Sequence, residues 1–322
     1  MIRAVFGAVR GTVCAAVLVV AAAAQSEPKW TESEVALGTG DAALHASYIA
    51  PGPWKAEFDA VLILPGSGPT DRNGNQAGMQ NDSLKMIALA LGEEGIASLR
   101  MDKRGVAASI PAMTREEDLR FETYIEDARA WLAFLKAQGG VRRVFVIGHS
   151  EGALIGAVVA QSADVAGYVS LAGVGEKAAD VLRRQLAANS PLAAALAEPT
   201  LKKLEAGETD PDVPEALKAL FRPSVQPYLI SWFRYDPTVE IAKIPGKVAI
   251  VQGTTDIQVL VSDAEKLHAA RPNAAYTIVE GMNHVLKAVP ADRAANIAAY
   301  GDPTLPLAPG LTAALLGFVT AP

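Results

Sequence analysis

The residues best suited to chemistry sit at Gly148-His149-Ser150-Glu151-Gly152. An apolar run at 144–147 precedes them and an apolar helical pattern at 153–160 follows. A G-x-S-x-G pentapeptide between a strand and a helix is the context of a nucleophile elbow. Its glycines let a sharp turn pass close to neighbouring backbone, and the turn lifts the serine hydroxyl clear of the sheet beside a helix N-terminus. Chance supplies about 0.1 such pentapeptides in a chain of this composition, so the match carries information before its context is counted.

A serine hydroxyl is a poor nucleophile until a base takes its proton, and a third group usually orients that base. The chain has four histidines. His45 falls in an N-terminal hairpin, His149 lies inside the elbow with its side chain expected to point away, and His268 lies on a helix at a solvated position. His284 follows the last apolar run, 276–279. Loops after strand C-termini form the site of an open parallel sheet, which makes His284 the candidate base. The orienting acid should come from the loop after the run 248–251. Asp256 lies there, and its rival Asp263 is expected near the solvated start of the next helix. The order Ser150, Asp256, His284 is that of a serine hydrolase triad.

A tetrahedral oxyanion needs preorganised N–H donors. The backbone N–H of Glu151 is one candidate. The loop after the first core strand, 64–75, offers the N–H of Ser67, with Gly66 as the alternative. In that loop Gly66-x-Gly68 follows a strand, but the third glycine of a dinucleotide fingerprint would fall at Asp71, so that reading fails. Asp71 and Arg72 are expected to brace the loop. Asp102, Arg104 and Gly105 should support the site from behind. The Glu151 side chain reads as a surface carboxylate or as part of the pocket mouth. Trp232 and Phe233 read as packing residues or as pocket lining. No P-loop signature and no pair of metal-ligating histidines is found, and no metal or cofactor is expected.

These groups must be held by a scaffold. The apolar run at 60–64 reads as a buried strand, 144–147 as a short apolar strand, and 96–101, 168–172, 248–251 and 276–279 as further strands. Between them Leu84, Ile87, Ala88 and Leu91 recur at helical spacing after an N-cap candidate, Asp82. Phe121 to Leu135 gives the face of a longer helix. Alternation of this kind predicts an α/β fold, a mostly parallel sheet with helices on both faces. Residues 35–49 read as an added antiparallel hairpin, and 176–241 as an inserted helical cap without strands.

The chain of 322 residues is half hydrophobic and one-fifth charged, a globular balance. Its net charge of −6 argues against a nucleic-acid footprint. Residues 1–24 hold Arg3 and Arg10, an uncharged stretch and an Ala22-Ala23-Ala24 end, the pattern of a secretory signal peptide. The working domain is then 25–322, periplasmic or secreted and without a membrane span. It also lacks Cys14, the one cysteine of the chain.

The elbow, together with Leu-Pro-Gly-Ser-Gly-Pro-Thr-Asp-Arg-Asn-Gly-Asn at 64–75, Met-Asp-Lys-Arg-Gly at 101–105 and Gly-Thr-Thr-Asp-Ile-Gln-Val at 253–259, resembles the α/β-hydrolase superfamily from about residue 60 onward. More narrowly it resembles a bacterial EstD-like branch of serine esterases, whose members are also described as thioesterases or serine-aminopeptidase-like hydrolases. Ala107 departs from that pattern, where relatives often have glycine. The resemblance implies a cofactor-free carboxylesterase that cleaves small esters of short to medium acyl chain through an acyl-enzyme. An acyl-thioesterase or aminopeptidase would use the same triad, and a non-catalytic binding protein would keep only the fold. Oligomeric state stays open.

Overall fold

A computed structural model of the chain describes residues 28–162 and 164–322. The signal peptide read in 1–24 lies outside the described residues. The strands are β1 Trp30–Leu37, β2 Leu44–Pro51, β3 Phe58–Leu64, β4 Ala97–Met101, β5 Val141–His149, β6 Gly167–Leu171, β7 Lys247–Gly253 and β8 Ala275–Val279. The helices are α1 Ser83–Glu93, α2 Phe121–Lys136, α3 Glu151–Val159, α4 Ala178–Asn189, α5 Pro191–Glu205, α6 Lys218–Phe221, α7 Gln226–Trp232, α8 Pro237–Ala242, α9 Val261–Ala270, α10 Arg293–Ala298 and α11 Leu311–Thr320.

The strands form one sheet in the order β1-β2-β4-β3-β5-β6-β7-β8. From β4 to β8 neighbouring strands run parallel, while β1 and β2 form an antiparallel hairpin that adds to β4. Strand side chains alternate between faces, and β3 shows the sorting. Ala60, Leu62 and Leu64 join a core that includes residues of α2, α3 and α9. Val61 and Ile63 join the opposite core with α1 and α11. Burying each such Val, Leu or Ile contributes about 1.5–3 kcal/mol. That gain is why residues 60–64 of β3 read as an unbroken apolar run rather than an alternating one.

The helices follow from spacing. Leu84, Ile87, Ala88 and Leu91 form the buried stripe of α1. Phe121, Tyr124, Ile125, Ala128, Trp131, Leu132 and Leu135 form that of α2. Asp82 does not cap α1 as expected. It adopts a left-handed conformation with φ 53° and makes no capping bond. Its carboxylate instead accepts from Asn75 Nδ2 at 2.6 Å, while Asn81 Oδ1 takes the Ser83 N–H at 3.0 Å. The 64–75 loop thus competes with the helix for that carboxylate. Helices α10 and α11 follow the last strand and have no counterpart in the sequence reading. Leu311, Leu315 and Val319 of α11 are buried against the sheet.

Between β6 and β7 the chain forms α4 to α8 and no strand. Among the described residues no helix is long and apolar enough to cross a membrane. The loop after β4 contains Ala107 at φ 46°, a left-handed conformation that favours glycine. The departure at this position therefore falls where a side chain strains the backbone.

Candidate active site

β5 ends at His149 and α3 begins at Glu151, so the whole strand-to-helix reversal falls on Ser150. Ser150 takes φ 54° and ψ −119°. Such a conformation costs a non-glycine residue on the order of 1–3 kcal/mol and persists only where the surroundings enforce it. Here Ser150 N–H donates to the Leu171 carbonyl at 3.0 Å, and the Ser150 carbonyl accepts from Ala153 N–H at 3.0 Å. The flanking glycines are sterically required. A Cβ on Gly148 would lie 2.1 Å from the Gly152 carbonyl oxygen, and one on Gly152 would lie 2.5 Å from the carbonyl oxygens of Leu64 and Pro65. The second contact presses the elbow against the end of β3 and hence against the 64–75 loop.

The structure brings Asp256 and His284 together. His284 Nδ1 lies 2.8 Å from Asp256 Oδ2. An ionised carboxylate only accepts, so Nδ1 carries the proton and Nε2 is left with a free lone pair. Asp256 is buried, and burial alone would raise its pKa. His284 beside it, with the N–H groups of Val259 and Gln258 at 2.9 and 2.8 Å, holds it below the usual carboxylate range. Gln252 also donates to Asp256 Oδ2 at 3.1 Å and to the Val259 carbonyl at 2.8 Å.

Ser150 and His284 line one cavity of about 180 Å³ with Gly66, Ser67 and His149. Ser150 also lines a larger cavity of about 410 Å³ together with residues of α4, α6 and α7. That cavity is lined by Leu119, Leu182, Leu220, Leu229 and Trp232, among others. Gly66 and Ser67 lie beside the serine, since a Cβ on Gly66 would sit 3.2 Å from Ser150 Cβ. Among the described residues no backbone acceptor outside its own element takes the N–H of Ser67 or of Glu151. Both are therefore available to a ligand oxygen. The Ser67 carbonyl is held by Thr70 Oγ1 at 2.7 Å and the Gly66 carbonyl by Lys103 Nζ at 2.7 Å.

Other residues take places that sequence reasoning did not give them. His149 does not point away. Its Nε2 donates to the His284 carbonyl at 2.8 Å, and the two rings lie 4.9 Å apart. Burial, and then the neighbouring His284, push its pKa down to about 3, so the ring stays neutral and pins the loop of the candidate base. The Glu151 side chain is not a surface group, and it is among the residues that line the larger cavity. It is buried, ion-paired with Lys103 at 3.1 Å and hydrogen-bonded by Tyr228. Asp263 is fully buried rather than solvated. It caps its helix by accepting from Leu260 N–H at 2.9 Å, accepts from Gly175 N–H at 3.0 Å, and pairs with Arg184 at 2.8 Å. His268 is half-buried and stacks on Tyr276.

Asp71 Oδ1 closes the 64–75 loop by accepting from Asn73 and Asn75 N–H at 2.8 and 2.9 Å. Arg72 is buried, pairs with Asp102 at 2.7 Å and reaches Glu34 of β1. Arg104 pairs with Asp127 at 2.6 Å, and it lines the larger cavity with Gly105. Phe233 is buried in the core, whereas Trp232 lines that cavity and stacks on Phe121. His149, Lys103 and Tyr228 were missed because each acts through a partner distant in sequence. Local signals were the position of His149 at a strand end and the spacing of Gln252 four residues before Asp256.

The profile of the Alpha/beta hydrolase family matches residues 61–300. Esterase EstD of Thermotoga maritima is 28% identical over 233 residues, 71% of this chain and 55% of that protein. The chain thus spans about half the length of that curated relative. Est1E from Butyrivibrio proteoclasticus superposes with a TM-score of 0.54 at 16% identity, over 83% of this chain and 94% of that one. A bromoperoxidase from Bacillus anthracis superposes with a TM-score of 0.55 at 18% identity, over 90% of this chain and 100% of that one. At such identities the likeness to these two structures is one of fold.

Proposed function

Because the chain belongs to the α/β hydrolase family, we propose that it is a serine esterase acting on small carboxylic esters of short to medium acyl chain. One observation carries this reading. A serine in a strained strand-to-helix turn shares a cavity with an imidazole whose far nitrogen is bonded to a buried carboxylate. Ser150 Oγ attacks the ester carbonyl while His284 Nε2 takes its proton, and Asp256 holds the imidazolium that forms. The oxyanion accepts from the Ser67 and Glu151 N–H groups, with Gly66 as the alternative donor. His284 returns the proton to the departing alcohol oxygen. Water then gives a proton to His284 and its oxygen to the acyl carbon, and Ser150 leaves as a hydroxyl again. The acyl chain occupies the larger, mainly apolar cavity, whose size suits a small ligand.

The state of Glu151 favours an ester or thioester over an aminopeptidase substrate. An ammonium clamp needs a free carboxylate, and both Glu151 oxygens are occupied, one by Tyr228 and one by Lys103. The signal-peptide pattern in 1–24 supports export to the periplasm or out of the cell, and N-terminal sequencing of the exported protein checks it.

The test is a p-nitrophenyl ester series from acetate to octanoate, run beside an acyl-thioester and an aminoacyl anilide, with fluorophosphonate labelling. We expect ester turnover and a label on Ser150. Ser150→Ala should lose at least about 10⁴-fold in kcat with its circular dichroism unchanged. Unchanged turnover in that variant would sink the mechanism.

A further inference from the structure

The proposed mechanism leaves one buried charge pair without a task. Lys103 follows β4 and Glu151 opens α3, and each side chain is only 2% exposed. Burying such a pair is costly, and an apolar pair of equal volume commonly serves stability as well or better. The Lys103 ammonium is nevertheless held on three sides. It donates to the Gly66 carbonyl at 2.7 Å and to Glu151 Oε2 at 3.1 Å, and the Tyr124 ring lies 5.2 Å away. Tyr228 donates its hydroxyl to the other Glu151 oxygen.

We propose that Lys103 is a positioning residue that fixes the two oxyanion donors relative to each other. This rests on the esterase reading above. The Gly66 carbonyl and the Ser67 N–H are the two ends of one planar peptide unit, so anchoring the oxygen aims the N–H. A cation on that oxygen also polarises the unit and strengthens its N–H as a donor. The second donor is the backbone N–H of Glu151, whose own side chain grips the same ammonium. A single buried tie therefore runs from one donor peptide, through Lys103, to the residue that carries the other. Donors held this way need no reorganisation when charge develops on the substrate oxygen.

The experiment compares wild type with Lys103→Met/Glu151→Gln, which removes the tie without leaving a lone buried charge. Three quantities are read: kcat and KM on p-nitrophenyl butyrate, and the inhibition constant of an alkyl boronic acid, whose adduct with serine places an oxygen in the oxyanion position. An oxyanion donor is worth about 10²–10³ in kcat, so displacing two without deleting them should cost about 10- to 100-fold. KM should stay within about 3-fold, and boronate affinity should fall with kcat/KM, because the tie acts only on the tetrahedral state. Glu151→Gln alone keeps a hydrogen-bonding group of the same size and serves if the double variant does not fold. It should lose about 3- to 10-fold with the same split, having weakened one charge-assisted bond. Variants that melt earlier yet keep wild-type kcat and boronate affinity overturn the inference and leave the esterase reading standing. Wild-type protein that neither hydrolyses the esters nor takes the fluorophosphonate label overturns both.

Discussion

The rim of the sheet and the helices above it build the two sides of the cavity around Ser150 by different means. On the rim, positions are set by backbone. Ser150 is held at a positive φ by two main-chain bonds, Gly148 and Gly152 have no room for a side chain, and Asp256 is fixed by two N–H groups. In α4, α6 and α7 the cavity wall is set by side-chain packing. Leu182, Leu220, Leu229 and Trp232 line it, and half-exposed ion pairs such as Arg183 with Glu198 at 2.9 Å tie the helices together. Backbone geometry tolerates almost no change, whereas packed apolar walls accept exchange of size at modest cost. Under the proposed esterase reading, chemistry is fixed at the rim and selectivity is adjustable above it.

Substitutions can break that division. The largest effect is expected at Asp256→Asn. It should lower kcat by about 10⁴-fold while ester-length preference is unchanged, because the imidazole loses its tautomer and its counter-charge. Steady-state kinetics across the ester series check both halves; a shifted length preference would show that the rim also selects. Leu182→Trp, on α4, should do the converse. Filling the larger cavity should reduce kcat/KM on octanoate by about 10- to 100-fold relative to acetate, since each pocket methylene is worth about 1–3 kcal/mol. Equal losses on all esters would place the acyl chain elsewhere.

The effect of acid is read in stability rather than in turnover. His149 has its pKa lowered to about 3 by burial, and Asp256 is held below its usual range. The unfolded chain therefore binds more protons than the folded one as pH falls below about 6.5, the ordinary histidine value. The contribution of His149 is full above that value and lost toward pH 3, and that of Asp256 is lost only below the ordinary carboxylate value, each by up to about 1.4 kcal/mol per pH unit. Urea denaturation at several pH values reads the slope. His149→Gln, which keeps a donor for the His284 carbonyl, should flatten its upper part. The exposed ion pairs of α4 and α5 should contribute little. A slope unchanged by His149→Gln would contradict the buried, neutral state of that ring.

What was legible in the sequence had local causes. Strands β3 to β7 are legible because both faces are covered, and the elbow shows because its glycines answer a local steric demand. The neighbourhood of Asp256 and His284 followed from strand order, since both lie in loops beyond strand ends. What could not be read depends on segments that meet only after folding. Asp82 looked like a cap until Asn75 claimed its carboxylate. Asp263 looked solvated until Gly175 and Arg184 covered it. His149 and the Lys103–Glu151 pair gained partners from other loops and strands. The shape of α4 to α8 is a matter of packing, and no periodicity encodes it.

The close approach of Gly152 to the end of β3 has a consequence for how this site comes into being. Its members are far apart along the chain: His149 meets the loop of His284 across 135 residues, and Lys103 meets Glu151 across 48. Contacts of that span form only once loop-closure entropy has been met, which makes them late events in folding. No fragment of the chain holds the whole constellation. The recovery of turnover after dilution from denaturant is therefore a clock for assembly of the entire sheet, and secondary structure should return ahead of it.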